Sequence, residues 1–354
     1  MHTFNTLSEF LLQAKTQFRV YEMGRKINKI STDNFMQFES ALQAYPAPVL
    51  RHAQFAVTFW NKNENNQHYL WFLKFPLDEQ GLLIQSSRDA FLTMVVESLG
   101  LMLEKTPSEE QQQRLASNPY VFKPSTDKLA MLNAMVNRDF IRPESKYYPT
   151  AQYYFADKLG FEHWQEVGVQ GICDVAARLD RDDNSANLVS SLPQLPTEPL
   201  YSLCLALEHI ALPTEISETL AQLISQEIAT STPDDVRISM LLRALASAPA
   251  QDLRTALYQP LFQQARLPQT KLSQTIIALA GRCWHDLADD KLLLAFFEAA
   301  VQQPQGDELF IYLFSDLVAI PSLRDKVLAM LRNPQRSNAL GCAIGLLFRQ
   351  KKSQ

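Results

Sequence analysis

Glycine is scarce in this chain, which has 10 glycines among 354 residues, against a usual share of about 7 %. None lies between Gly171 and Gly281. Phosphate-binding loops need clustered glycines, because their backbone N–H groups must approach the phosphate closely. The patterns G-x-G-x-x-G and G-x-x-x-x-G-K-[ST] are both missing, as is the nucleophile elbow G-x-S-x-G. The sequence therefore offers no motif for a nucleotide site or a serine hydrolase, and we predict no cofactor.

Paired cysteines and long apolar runs are missing too. The chain has four cysteines without a C-x-x-C pair, namely Cys173, Cys204, Cys283 and Cys342. Their apolar surroundings predict buried, reduced thiols. No stretch of about 18 apolar residues occurs, and the N-terminal MHTFNTLSEF lacks a basic region followed by an apolar core. We therefore expect a cytoplasmic protein without a membrane partner.

Basic residues are not in excess. The formal net charge is −5, so the chain has no overall attraction for nucleic acid or anionic lipid. The acidic bias lies in residues 151–354. A local, mildly basic cluster lies on or beside the first predicted hairpin, at Arg19, Arg25, Lys26 and Lys29. We interpret it as a solvated strand edge or as a contact for an acidic surface or phosphate, and we predict no nucleic acid partner.

Three short motifs are candidates for a catalytic or metal-binding site. Ser125 and Lys128 match S-x-x-K but lack the accompanying S-D-N and K-T-G elements, so Ser125 is better read as a helix cap. The run 180–184 begins like a calcium loop, but serine stands where the glycine and the last acid are required. His163 and Glu166 have no further ligand at metal-binding spacing. Because each of the three motifs is incomplete, the sequence favours a non-enzymatic protein without a metal site.

Residues 1–105 predict an α+β module. The spacing of apolar residues predicts three helices. The first spans 6–16, the second begins at Ser31, and the third runs from Ser86 to about Glu104. Alternating or β-branched and aromatic stretches predict strands at 18–23, 26–30, 53–60 and 68–75, with a short fifth strand at 82–84. This order of elements is similar to the roadblock/longin-type layout, a fold used to bind small GTPases and to dimerise. The similarity is one of topology alone.

The remainder predicts an all-α part. Residues 106–126 form a polar connector, and residues 127–354 form a helical domain with irregular two-helix repeats from about 168. Predicted helices begin near Glu198, Thr214, Pro233, Ala250, Gln269, Ala288, Gln305 and Pro321. Paired helices would then repeat about every 35 residues, a period that suits a HEAT-like array. An irregular helical bundle is the alternative.

Several segments together resemble an uncharacterised bacterial family catalogued as a domain of unknown function. They are FRVYEMGRKINKI at 18–30, FLKFPLDEQGLL at 72–83, NPYVFKP at 118–124 and the stretch 153–180. The resemblance runs along most of the chain and includes no catalytic signature. It implies a bacterial cytoplasmic protein and supplies no activity, cofactor or functional residue.

The first functional hypothesis is a non-enzymatic adaptor that binds a protein partner or forms a homodimer. Its predicted contact surface is the end of the sheet where mixed charges and turns meet. That surface comprises Met23, Gly24, Arg25 and Lys26, together with Pro76, Asp78, Glu79, Gln80 and Gly81. The alternative interpretation is that both segments are simply tight turns.

The second hypothesis is an enzyme or small-ligand protein with a pocket between the α+β and helical parts. An aromatic cluster would form its wall, and charged residues would face the ligand. The predicted residues are Tyr147, Tyr148, Tyr153 and Trp164, with Arg138 and Asp174. The alternative interpretation is that these aromatic residues are core between elements.

Overall fold

A computed structural model describes residues 4–61, 68–99, 117–267 and 270–350. The chain divides into two compact units. The first comprises Met1–Pro124 and Val318–Arg324, and the second comprises Ser125–Leu317 and Asp325–Gln354. The stretch 318–324 thus belongs to the first unit although the rest of the C-terminal half belongs to the second.

The first unit is built on a four-stranded antiparallel sheet. Its strands are β1 (Thr16–Glu22), β2 (Asn28–Ile30), β3 (His52–Asn61) and β4 (Tyr69–Pro76), in the order β2-β1-β3-β4. The helices are α1 (Leu7–Gln13), α2 (Thr32–Glu39) and α3 (Gln85–Leu99). The predicted α+β module is confirmed. The expected fifth strand at 82–84 is wrong, since only a single bridge joins Leu77 to Leu83.

Aromatic rings fill the core of this unit. Alternate residues of β3 point to one face of the sheet, so Phe55 meets the α2 side chain Phe35 at a ring-centroid distance of 5.2 Å. Phe75 lies 5.7 Å from Phe55 and 5.9 Å from the α3 residue Phe91. All four side chains are buried. The helices therefore cover one face of the sheet through stacked and edge-on rings.

The second unit is entirely helical, as predicted. Its helices are α4 (Thr126–Asp139), α5 (Tyr148–Phe155), α6 (Val169–Ala176), α7 (Asn184–Ser191), α8 (Thr197–Leu207), α9 (Thr214–Ile228), α10 (Asp235–Leu245), α11 (Gln251–Ala265), α12 (Ser273–Arg282), α13 (Asp290–Val301), α14 (Gly306–Leu317), α15 (Arg324–Met330) and α16 (Asn338–Gln350). Short 3₁₀ helices occupy Phe161–Glu166 and Trp284–Ala288. From α8 to α15 each helix begins within four residues of its predicted start, the largest difference being Ser273 against Gln269.

From α4 to α14 the helices stack in two layers, because each packs on the helix two positions along the chain. One layer contains α4, α6, α8, α10, α12 and α14, and the other contains α5, α7, α9, α11 and α13. The last helix, α16, packs on both α13 and α14. Contacts such as α9 with α10 and α13 with α14 join the layers. Apolar side chains of the helices form the core of this unit, for example Leu241, Leu242 and Leu245 of α10, which are buried.

Candidate functional site

The topology brings the two predicted turn segments to the same end of the sheet. Strands β1 and β4 are both antiparallel to β3, so their C-terminal ends point the same way. The connection between α2 and β3 lies against both turns. Arg25 Nε donates to the Pro48 carbonyl at 2.9 Å, and the Tyr45 N–H donates to the Gly81 carbonyl at 2.9 Å. The juxtaposition that motivated this site is therefore present.

The turn after β1 is closed by a buried carboxylate, which the sequence reading missed. Glu22 is 4 % exposed. Its Oε1 accepts from the N–H groups of Gly24 at 2.5 Å and Arg25 at 3.2 Å, and its Oε2 accepts from that of Lys26 at 2.9 Å. A Cβ at Gly24 would lie 2.8 Å from Glu22 Oε1, so this close approach requires glycine. The cluster of N–H donors satisfies the charge of Glu22.

The burial of this turn corrects the expected basic edge. Met23 is 0 % exposed and Arg25 is 2 % exposed, because the Arg25 guanidinium reaches inward to the Pro48 carbonyl. Gly24 and Lys26 are half-buried. Arg25 is therefore an interior hydrogen-bond donor and not a surface cation. The use of this end of the sheet by a partner stays a prediction.

The turn after β4 is more exposed. Asp78, Glu79 and Gln80 face solvent, whereas Pro76 is half-buried and Gly81 is buried. Asp78 Oδ1 accepts from the N–H groups of Gln80 and Leu82, each at 2.8 Å, which is an Asx-type turn. Gly81 has φ +82°, a conformation that favours glycine.

The segment 318–324 packs on this second turn. A Cβ at Gly81 would lie 3.0 Å from Pro321 Cγ. Arg324 donates from Nη1 to the Glu79 carbonyl. The turn is therefore held from two sides, by its own aspartate and by a segment distant in sequence.

The six residues predicted for a pocket all lie in the second unit. Asp174 is fully buried and accepts from Arg178 Nη1 at 2.9 Å and from the Ser145 N–H at 3.1 Å. Arg138 donates to the Ala177 carbonyl and lies 3.1 Å from Asp180. These polar contacts tie helix ends to loops.

The aromatic members of that set differ in exposure. Tyr148 is buried, donates to Asp182 Oδ2 at 2.9 Å and accepts from Asn184 Nδ2 at 2.9 Å. Burial raises the pKa of Tyr148 to about 12, with Asp182 adding to the effect. Tyr147 and Tyr153 are 46 % and 59 % exposed, and Trp164 is half-buried. The structure therefore does not gather the four rings into one buried wall, and their role in a ligand pocket stays a prediction.

A different surface carries open, contiguous hollows. Along α9, α11, α13 and α16, three hollows have volumes of about 670, 500 and 730 Å³. The first includes Leu267 and the second includes the adjoining Arg266, while Ser337 lines both the second and the third. We call this run of hollows the outer groove. Neighbouring hollows in it share Ser337 or are lined by the consecutive residues Arg266 and Leu267.

The first hollow of the outer groove lies between α9 and α11. Its walls are mainly small, apolar and amide side chains, with one acidic residue, Glu218. Those lining residues are Glu218, Ala221, Gln222, Ser225, Ile228, Ala229, Leu253, Ala256, Leu257, Pro260, Gln263, Gln264 and Leu267. A sequence signal exists in hindsight, because small residues recur every four positions at Ala221, Ser225 and Ala229.

Buried ion pairs fix the helices behind this groove. Arg254 of α11 donates from Nε and Nη2 to the Asp286 carboxylate, both at 2.9 Å, and Tyr258 donates to Asp286 Oδ2 at 2.6 Å. Asp286 is 2 % exposed. A bidentate guanidinium–carboxylate pair restricts both distance and rotation. The groove wall formed by α11 is thus held at a fixed angle on the 3₁₀ helix that contains Asp286.

A second buried carboxylate joins three helices of the other layer. Glu208, which follows α8, accepts from Arg243 Nε at 2.6 Å and from Arg282 Nε at 2.9 Å. Burial alone would raise the pKa of Glu208, but the charges of Arg282, Arg243 and His209 outweigh burial and lower it to about 2. The helices α8, α10 and α12 are therefore cross-linked by charge at their C-terminal ends.

The described residues hold no group of three or more His, Cys, Asp or Glu side chains arranged to bind a metal ion. Among the helices of the same described ranges, none combines the length and the apolar character needed to cross a membrane.

Comparison with known proteins gives a family. The model of a family described as "Protein of unknown function (DUF3549)" matches residues 2–348. No curated protein and no solved structure matches the chain, so the topological resemblance of the first unit to the roadblock/longin fold stays a prediction. The family match spans both units and includes the segments that carried the resemblance seen in the sequence. The chain belongs to the DUF3549 family.

Proposed function

We propose that this protein is a non-enzymatic adaptor that binds a partner polypeptide in the outer groove. The observation that carries the proposal is the continuity of three hollows along α9, α11, α13 and α16. Each hollow has the volume of a typical ligand site, and their succession along α9, α11, α13 and α16 suits an elongated chain better than a compact metabolite.

The helical layers support the same proposal. Stacked helix pairs present long binding surfaces, which is how solenoid proteins contact extended partners. From α4 to α14 the packing of each helix on the next but one is the arrangement expected of a HEAT-like array, and we include that assignment in the proposal. A bacterial cytoplasmic setting completes it, supported by four cysteines that are all free thiols. Cys173, Cys204 and Cys283 are buried as expected, whereas Cys342 is exposed, contrary to the expectation.

The test is affinity purification of tagged full-length protein from its native cells, quantified by mass spectrometry against an untagged control. The wild type is compared with Ala256→Trp, which fills the first hollow, and with Ile277→Trp, which places the same side chain at an exposed site on α12. We expect one or two proteins to be recovered with the wild type and with Ile277→Trp, and to be lost with Ala256→Trp. Equal recovery with all three proteins would contradict the proposal.

A further inference from the structure

The chemistry of the first hollow specifies what it binds. Resting on the proposed function, we propose that the partner contributes an amphipathic α-helix of about three to four turns, with an apolar stripe flanked by basic residues, to the hollow between α9 and α11. Shape, backbone chemistry and charge each support this occupant.

The shape of the hollow matches a helix. Its lining residues run from Glu218 on α9 to Ala229, one residue past that helix, and from Leu253 on α11 to Leu267, two residues past it. At 1.5 Å per residue these walls are about 16–21 Å long, the length of an 11- to 14-residue helix. On both walls the lining positions recur at three- and four-residue spacing, so one continuous ridge of each helix faces the hollow. Two such ridges form the groove that receives a third helix in helix-in-groove recognition.

The floor of the hollow is apolar and its rim carries amides. Ala221, Ile228 and Leu257 are buried beneath it, while Ala256 and Pro260 are exposed on its surface. Small side chains allow a partner helix to approach closely. Gln222, Gln263 and Gln264 supply donors and acceptors around the apolar centre. An occupant therefore needs one apolar stripe with polar neighbours on each side.

Pro260 leaves the backbone carbonyl of Ala256 available as a hydrogen-bond acceptor on this surface. It lies inside α11 and has no N–H, so the carbonyl of Ala256 lacks the hydrogen bond that residue 260 of a regular helix would donate. Both residues line the hollow. A serine, lysine or arginine side chain on the partner helix can donate to that carbonyl.

The charges of α9 and α11 indicate which residues flank the apolar stripe of the partner helix. The only Lys or Arg on α9 and α11 is Arg254, and it is buried against Asp286. The exposed charges of the two helices are acidic, at Glu215, Glu218 and Asp252. A basic partner meets attractive charges here, whereas an acidic one meets like charge.

The rest of the outer groove has the opposite character, which gives the partner a direction. Arg266 and Lys291 line the second hollow, and Arg336 and Arg349 line the third. Only Glu298 offsets them among the charged lining residues of those two hollows. The basic helix therefore sits at the α9 end, and the acidic or neutral continuation of the partner lies toward α16.

The test uses fluorescein-labelled 16-residue peptides and full-length protein, with binding followed by fluorescence anisotropy. The first probe has a Leu/Ala stripe with Lys flanks, the second replaces Lys by Glu, and the third keeps the Lys composition but has two central prolines that prevent a helix. We expect the Lys probe to bind at least about tenfold more tightly than either of the other two, and its affinity to fall as salt is added.

Two variants locate the binding. Glu218→Lys should weaken the Lys probe about threefold to tenfold, whereas Glu198→Lys, an exposed acid in the first turn of α8 in the other layer, should leave it unchanged. Equal affinity for Lys and Glu probes, equal affinity for the proline probe, or no binding of any probe would overturn the inferred partner. If Ala256→Trp still abolishes capture of the cellular partner in that case, the proposed function stands and only the chemistry assigned to the occupant is wrong.

Discussion

The two units differ in which surface is left for a partner. In the first unit, the turns that looked available for a partner are closed by their own side chains, with Glu22 accepting from three successive turn residues and Asp78 from two N–H groups. In the second unit, charged residues lock the helices from behind, and an apolar surface between α9 and α11 stays open.

This difference shows that loop position alone does not identify a binding surface. A turn whose polar groups are satisfied internally offers few hydrogen-bonding groups to a partner. A helical layer whose small side chains are exposed within the described residues offers apolar area, which is a larger source of binding free energy. The following changes test that contrast, from the largest expected effect to the smallest.

Loss of the Glu208 carboxylate should damage the second unit most. Glu208→Ala leaves Arg243 and Arg282 without their shared buried partner, and breaking such a pair costs about 3–5 kcal/mol. Urea unfolding followed by circular dichroism measures the change, and hydrogen exchange assigns it to α8, α10 and α12. Glu198→Ala, an exposed acid on α8, is the control and should change stability by less than about 0.5 kcal/mol. A similar small effect for Glu208→Ala would show that charge does not lock these helices.

Acid should change the stabilities of the two units in opposite directions, because each unit contains a buried glutamate with a shifted pKa. The pKa of Glu208 is lowered to about 2 from an ordinary 4.5, so its stabilisation is present above pH 4.5 and is lost as the pH falls toward 2, a change of about 3 kcal/mol. Burial raises the pKa of Glu39 in the first unit, despite hydrogen bonds from the Ser8 and Leu7 N–H groups. Stability linked to its protonated form is therefore present below pH 4.5 and is lost as the pH rises through its higher folded-state pKa.

Urea unfolding at pH 2–7 checks these opposite signs with Glu208→Gln and Glu39→Gln. Relative to the wild type, Glu208→Gln should become less stable as the pH rises from 2 to 5. Glu39→Gln should become relatively more stable as the pH rises above 4.5. The same slope for both variants would contradict the pKa directions.

Opening the first turn should have an intermediate effect. Glu22→Ala removes the acceptor for the N–H groups of Gly24, Arg25 and Lys26, and leaving buried donors unsatisfied costs about 1–3 kcal/mol. Thermal unfolding gives the loss of stability. Glu79→Ala provides an exposed comparison in the second turn. A loss no greater than that of Glu79→Ala would mean that the carboxylate does not close the turn.

Asp78→Ala should have the smallest effect. It removes two exposed turn hydrogen bonds, each contributing about 0.5–1.5 kcal/mol in a well-ordered site and less where water replaces the acceptor. We expect a loss of about 1 kcal/mol or less and unchanged recovery of the cellular partner. Loss of that partner at normal stability would transfer the binding surface to the first unit.

Much of the fold follows from local sequence. The stripes of α10 and α13 and the caps Asp234 and Asp289 specify helices almost independently of context, since each cap accepts from its own first turn. The strands are likewise marked by their aromatic and β-branched residues. The short segment 82–84 failed as a strand because its Leu83 finds only one bridging residue, and no pattern within three residues reports the absence of a neighbour.

The sites were harder to predict because they depend on distant residues. The charged residues around Arg25 predict a surface cation, and only the return of the chain at Pro48 makes Arg25 an interior donor. The buried pair of Arg254 and Asp286 joins residues 32 positions apart, and nothing local distinguishes them from surface charges. The outer groove requires α9 and α11 to lie side by side, and the sequences of the two helices do not predict that packing.

The most direct test of the outer groove is photocrosslinking in the native cell. A photoreactive phenylalanine derivative is placed at Ala256 in the first hollow and, as a control, at the exposed Ile277 on α12. The account predicts one dominant adduct from position 256, mapped by mass spectrometry to a helical segment with basic residues in one partner protein, and no such adduct from position 277. No adduct at position 256, or the same adducts at both positions, would contradict it.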